Sequence, residues 1–310
     1  MSRRPVAAAA AVVGAAAAAV VAAAGLLGAR RRRTRRRRTG AVVVDSPGRD
    51  APPPLSGRQR TVVAEDGVEL AVTEHGSAAA AATFVLLHGH PQSGALWAGQ
   101  VRDLLAARQH LRVVTYHRGH DGSGRAAPGS ADLELLGRDL ERVLDSVAPT
   151  GPVLLAGHAT GGMAIMALAE QAPELFGQRI AGVALVATCS GALEEVAHGL
   201  PTAVAALTRR LRPRRGDSSA WSLPTFPAHD RLALRTAMAE LPVLVVVGDR
   251  DRLCPLAHSR ALAGALRAGE LVVYPGAGHL VPLERRAEVS RRLLALLDRA
   301  LARRDVAAVH

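Results

Sequence analysis

Residues 152–162 read Pro-Val-Leu-Leu-Ala-Gly-His-Ala-Thr-Gly-Gly, and an apolar run from Met163 to Leu168 follows. A short stretch apolar on both faces, then a glycine, then two more glycines opening a helix-forming run, describe a buried strand, a sharp turn and a helix. Glycines are needed where the chain reverses over so few residues, because neighbouring backbones come close and a residue at the tip takes a strained conformation. The residue at that tip is Ala159.

Working outward, short and almost wholly apolar runs recur at Thr83 to Leu87, Leu111 to Tyr116, Ile180 to Ala187, Pro242 to Val247 and Leu271 to Tyr274. Strands of this kind belong to a parallel sheet covered by helices. Helical segments are predicted between them at Leu133 to Ala148, Gly162 to Gln171 and His258 to Arg267, with a last helix from Leu283 to Arg303. Two β-prone runs, Arg60 to Ala64 and Val68 to Thr73, flank Asp66-Gly67, a strong hairpin signal. A hairpin followed by alternating strands and helices predicts an α/β fold with a mostly parallel, doubly wound sheet.

Ligands of such sheets bind outside the carboxyl ends of the strands, and the polar motifs of this chain stand there. The strand, turn and helix around Ala159 have the context of a nucleophile elbow, Gly-x-Ser-x-Gly, with alanine at the central position. Gly248-Asp249-Arg250-Asp251 follows an apolar strand, with Pro255 four residues beyond. This placement suits an acid that orients an imidazole; Asp251 is preferred over Asp249. Gly276-Ala277-Gly278-His279 follows the next strand and sets His279 on a glycine-rich loop, as a general base requires. Leu87-His88-Gly89-His90-Pro91 follows an earlier strand, where the backbone N–H of His90, paired with that of Thr160, can face an oxyanion.

On these motifs the chain resembles the α/β-hydrolase superfamily from about residue 60 to 303, and in particular bacterial single-domain hydrolases with a Gly-His-Ser-x-Gly-Gly elbow. Further points of resemblance are Gln92-Ser93 with Trp97, Arg118-Gly119-His120, and Pro282-Leu283-Glu284. The resemblance implies hydrolysis of an ester or similar bond through an acyl-enzyme, and no cofactor. Three features depart from it. Ala159 has no hydroxyl. In His117-Arg118-Gly119-His120-Asp121-Gly122-Ser123 the acid stands after the Arg-Gly-His rather than before it. Between Thr188 and Leu241 there is room only for a short lid, at about 190–240.

Two functions are consistent with this. One is a pseudoenzyme that binds a small ligand or a partner through the old pocket. The other is an enzyme using the His279/Asp251 dyad alone as general base. An elbow altered by drift or by mutagenesis would read the same way. Thr160 is a poor substitute nucleophile, since an elbow aims one side chain only. His88, His90 and His158 lack metal-ligand spacing and read as structural, so no metal site is expected. Cys189 and Cys254 end apolar runs and read as buried free thiols.

The formal charge of +12 is local. There is no Lys, and ten Arg (Arg3, Arg4, Arg30 to Arg33, Arg35 to Arg38) precede Thr39 with no acid among them, so the rest of the chain is nearly neutral. With 2 % aromatic residues as well, the domain lacks the basic face and stacking platforms of a nucleic-acid binder. Residues 5–29 are uncharged, and about 20 apolar residues suffice to span a bilayer. The Arg30–Arg38 block after them predicts a single-pass anchor that keeps the domain cytoplasmic, and the block suits anionic headgroups. The alternative is export, since Ser2-Arg3-Arg4 resembles a twin-arginine signal. The chain thus divides into 1–38, the apolar helix and Arg block; 39–58, a Pro- and Gly-rich linker; and 59–305, the α/β-hydrolase domain. A basic cluster at Arg209, Arg210, Arg212, Arg214 and Arg215 reads as a solvated face of the lid.

Overall fold

The computed structural model describes residues 55–89, 92–118, 133–190 and 231–308. Eight strands form one sheet: β1 (Arg58–Val63), β2 (Glu69–Gly76), β3 (Ala82–Leu87), β4 (Leu111–Arg118), β5 (Val153–His158), β6 (Ile180–Val186), β7 (Val243–Gly248) and β8 (Gly269–Tyr274). Their spatial order is β1-β2-β4-β3-β5-β6-β7-β8. The β1–β2 and β2–β4 pairings are antiparallel and every later one is parallel. The predicted hairpin turns at Asp66-Gly67, where Gly67 has φ 81°.

The strands that read as apolar on both faces are buried on both faces: β3, β5, β6 and β7 have no exposed residue. Helices α1 (Ala98–Ala107) and α6 (Arg286–Ala308) cover one face. Val101, Leu104, Leu293 and Leu296 there pack with Phe84, Leu86, Leu154 and Val246. On the other face α2 (Leu133–Val147), α3 (Thr160–Gln171), α4 (Arg231–Ala237) and α5 (Leu256–Ala265) close over Val85, Leu155, Val183 and Val245. Leu140, Val143, Leu144 and Val147 repeat at helical spacing and form the buried stripe of α2. In α3 the buried side chains run from Met163 to Ala169 without a break, because this helix lies between α2 and the sheet.

The last predicted helix is two pieces: a turn at Val281–Glu284 and then α6, which continues to Ala308. Arg118, at the end of β4, pairs with Asp139 of α2 at 2.7 Å and with Asp66 of the hairpin turn. The acids that hold this arginine therefore come from distant segments. Burial pushes the Asp139 carboxyl up, against the pull of Arg118.

Among the described residues no helix is long and apolar enough to cross a membrane. The predicted anchor at 5–29, the Arg30–Arg38 block, the linker up to residue 54, His90, and most of the lid, including its arginine cluster, lie outside the described residues.

Candidate active site

The elbow forms as the glycines imply. β5 ends at His158, Ala159 has φ 50° and ψ −115°, and α3 starts at Thr160. For a residue with a Cβ this backbone lies outside the favoured regions, at a cost of about 1–3 kcal/mol that the surroundings must offset. The surroundings hold it from three sides. Ala159 N–H donates to Val186 O of the neighbouring strand at 3.0 Å, and Ala159 O accepts from Gly162 and Met163 N–H. A Cβ at Gly161 would stand 2.6 Å from Leu87 O, and one at Gly89 would stand 2.9 Å from the Ala159 Cβ. Small residues are therefore obligatory around the tip. Ala187, at the end of β6, also has positive φ, 49°.

The two other sequence-selected residues meet. His279 Nδ1 lies 2.8 Å from Asp251 Oδ2. Asp251 is buried, and its Oδ1 accepts from Leu253 and Cys254 N–H, both at 2.9 Å. With Oδ1 occupied by backbone donors, the imidazole takes the remaining oxygen. Asp249 is otherwise employed: its Oδ1 accepts from Gly276 N–H at 2.7 Å and ties the acid loop to the loop that carries His279. Arg250 N–H donates to Ala277 O at 2.9 Å and adds a second tie.

His158 has a larger part than its sequence position suggests. It is fully buried, and its Nε2 lies 2.8 Å from His279 O. A carbonyl can only accept, so Nε2 carries the proton. The two rings are tilted, with centroids 4.8 Å apart. Burial holds the His158 imidazole down to about 4, so the ring is neutral near pH 7. The residue before the elbow tip thus anchors the backbone of His279. On the opposite flank Trp97 Nε1 donates to Leu87 O at 3.0 Å, and Gln100 Nε2 donates to Pro282 O at 2.7 Å, which fastens the segment after His279 to α1.

The expectation of free thiols is corrected: Cys189 and Cys254 form a disulfide, with Cα atoms 5.3 Å apart and a sequence separation of 65. Parallel pairing of β6 with β7 brings the two strand-end loops together, an adjacency that spacing along the chain could not reveal. Beside it, the buried His258 imidazole accepts from Ser190 N–H at 3.2 Å and lies 3.1 Å from Ser190 Oγ. Sequence reading missed this pair too. Thr160 is in place as the first residue of α3; its suggested partner His90 is outside the described residues. Among the described residues no group of three or more His, Cys, Asp or Glu is placed to hold a metal ion.

The order elbow, acid, histidine at the carboxyl edge of a largely parallel sheet defines a fold class, and comparison with known proteins agrees. Residues 84–292 match the α/β hydrolase family, and the chain belongs to that family. It is 29 % identical over 245 residues to the dihydrolipoyllysine-residue acetyltransferase component of the acetoin cleaving system of Pseudomonas putida. That match covers 69 % of this chain and 62 % of the relative, so the chain accounts for less than two thirds of that protein. It is 28 % identical to the monoacylglycerol lipase of Mycolicibacterium smegmatis, covering 64 % of this chain and 80 % of the lipase. A thermophilic esterase from Thermogutta terrifontis shares the fold with TM-score 0.54 and 24 % identity, over 79 % of this chain and 99 % of the esterase. Family and relatives together support a hydrolase.

Proposed function

We propose that this hydrolase-family chain is a membrane-tethered pseudoenzyme, with Ala159 at the nucleophile position, that binds a small ligand or a partner through the pocket of a former ester hydrolase. The observation that carries the reading is the pairing of a strained, well-supported elbow bearing a methyl group with a His279–Asp251 hydrogen bond of 2.8 Å. Acyl transfer needs an oxygen at 159 for the imidazole to activate. Alanine has none, so the acyl-enzyme route is closed while the apparatus around it persists. The lipase and esterase likenesses favour a ligand with an ester-like or carboxylate group. In this account the N–H groups of His90 and Thr160 receive its oxygen.

The test is labelling of the unaltered full chain by a fluorophosphonate. The proposal expects no adduct; an adduct on Thr160 or any other residue of this pocket would overturn it. A second reading, in which His279 and Asp251 act alone as general base, is favoured by the integrity of that hydrogen bond. Ligand-dependent proton exchange abolished by His279→Gln would establish it.

Tethering through residues 5–29 with a cytoplasmic domain rests on the Arg30–Arg38 block. The exported alternative gains from the Cys189–Cys254 bond, because disulfides persist in oxidising compartments. Alkaline extraction of membranes with protease accessibility separates the two: a membrane-retained, externally protected domain supports the first, and a shortened, soluble, external protein supports the second.

A further inference from the structure

We infer that the Cys189–Cys254 disulfide is a positioning element for the dyad, acting through the backbone N–H of Cys254 on Asp251. Cys254 N–H donates to Asp251 Oδ1 at 2.9 Å, and the other oxygen of the same carboxylate faces His279 Nδ1 at 2.8 Å. From the sulfur to the imidazole the connection is therefore one residue and two hydrogen bonds long.

The loop it governs needs such an anchor. Asp251 to Pro255, the second part of the connection from β7 to α5, has little regular structure, and Leu253 in its middle is 61 % exposed. Asp249 and Arg250 are tied to the His279 loop, but these contacts lie before Asp251 and leave the donor side of its carboxylate unsecured. The disulfide secures that side. Its other half, Cys189, extends from β6, the strand that also accepts the elbow's N–H through Val186 O. The bond thus references the acid to the same strand that holds Ala159. Ser190, the next residue, donates its N–H to His258 on the first turn of α5, so the helix that follows the acid loop is referenced to the β6 terminus as well. This inference rests on reading His279 and Asp251 as the working pair, but its test requires no catalysis.

Reduction by a dithiol transfers two electrons and two protons to the bridge, giving two cysteine thiols and a cyclic disulfide of the reagent. Cys254 then loses its covalent hold on the β6 end, and the donor geometry at Oδ1 relaxes. In the oxidised full chain in detergent, proton NMR should show a downfield imidazole N–H resonance from His279 Nδ1–H facing the carboxylate, assigned by its absence in Asp251→Asn. After dithiothreitol, with both thiols confirmed by a colorimetric titration, that resonance should disappear while the methyl region keeps its native dispersion. Cys189→Ser, which leaves the Cys254 N–H in place, should lose it as well. A resonance that survives full reduction would overturn the inference. So would collapse of the whole spectrum in both the reduced protein and the variant, which would make the bond a staple of the fold at large. Fluorophosphonate labelling of the unaltered chain, by contrast, would defeat the pseudoenzyme reading and leave this inference standing.

Discussion

His158 Nε2–H donates to the backbone carbonyl of His279 at 2.8 Å, so the residue preceding the elbow tip holds the main chain of the dyad histidine. The donor ring is buried and neutral, and His279 also faces Asp251 at 2.8 Å. His279 is thereby fixed from two directions, through its carbonyl by the β5 end and through its ring by the β7 end. Histidine at 158 suits this job because it is rigid, planar and able to donate without carrying charge into the core.

The first consequence is a pH dependence of stability. An unfolded histidine titrates near 6.5, whereas burial depresses His158 to about 4. Below about 6.5 the unfolded chain takes up a proton that the folded chain refuses. The contribution of His158 is therefore complete above pH 6.5 and is lost progressively as pH falls toward 4, amounting to about 3 kcal/mol at the acid end. Urea unfolding at pH 7 and pH 5 checks this. His158→Gln keeps a side-chain N–H donor but does not titrate, and its acid limb should be flatter than that of the parent.

Replacing Asp251 by Ala strips the acceptor from Leu253 N–H, Cys254 N–H and His279 Nδ1 at once. A buried donor left unpaired costs about 1–3 kcal/mol; the Cys254 contact is buried and the other two are only partly so, so a total loss of roughly 2–5 kcal/mol is expected in denaturant unfolding. Asp249→Ala removes one exposed contact to Gly276 and should cost less than about 1.5 kcal/mol. An inverted ranking would mean that the wrong acid has been chosen.

Glycines at the elbow and away from it should respond with opposite signs. A Cβ at Gly157 would strike the backbone of Gly161 and Gly162, whereas Gly264, in α5, has nothing within 4 Å of its notional Cβ. Gly157→Ala should lose about 1–3 kcal/mol through overpacking. Gly264→Ala should gain about 0.5–1 kcal/mol from helix propensity and reduced chain entropy. Thermal unfolding of the two variants beside the parent measures both.

Closing a loop of 65 residues with a disulfide contributes about 4 kcal/mol in the chain-entropy account. Reduction should therefore lower the unfolding midpoint markedly, and Cys189→Ser should follow the reduced protein closely.

The fold was legible because the strands of a covered parallel sheet are continuous apolar runs, and β3, β5, β6 and β7 are of that kind. The candidate site is legible where chemistry stands in the loop that leaves a strand: Ala159, Asp251 and His279 are all placed so. What stayed hidden depends on which strands are neighbours. Cys189 meets Cys254, Ser190 meets His258, and Arg118 meets Asp66 and Asp139 through sheet order, and no periodicity encodes that. In sequence His158 looks like a structural turn residue, because only the folded chain brings the His279 carbonyl to its Nε2.

The proposal that position 159 lacks its nucleophile beside a paired His279 and Asp251 is tested by hydrolysis of a short-chain activated ester by Ala159→Ser. Removing a triad nucleophile costs on the order of a millionfold in turnover, about 8 kcal/mol of barrier. With the elbow strained as required and His279 held by Asp251 and His158, the restored serine should be labelled by a fluorophosphonate at residue 159. It should also raise turnover at least about a thousandfold over the parent, with a burst of acyl-enzyme. A folded Ala159→Ser protein that neither labels nor turns over ester would contradict the claim that the rest of the site is intact.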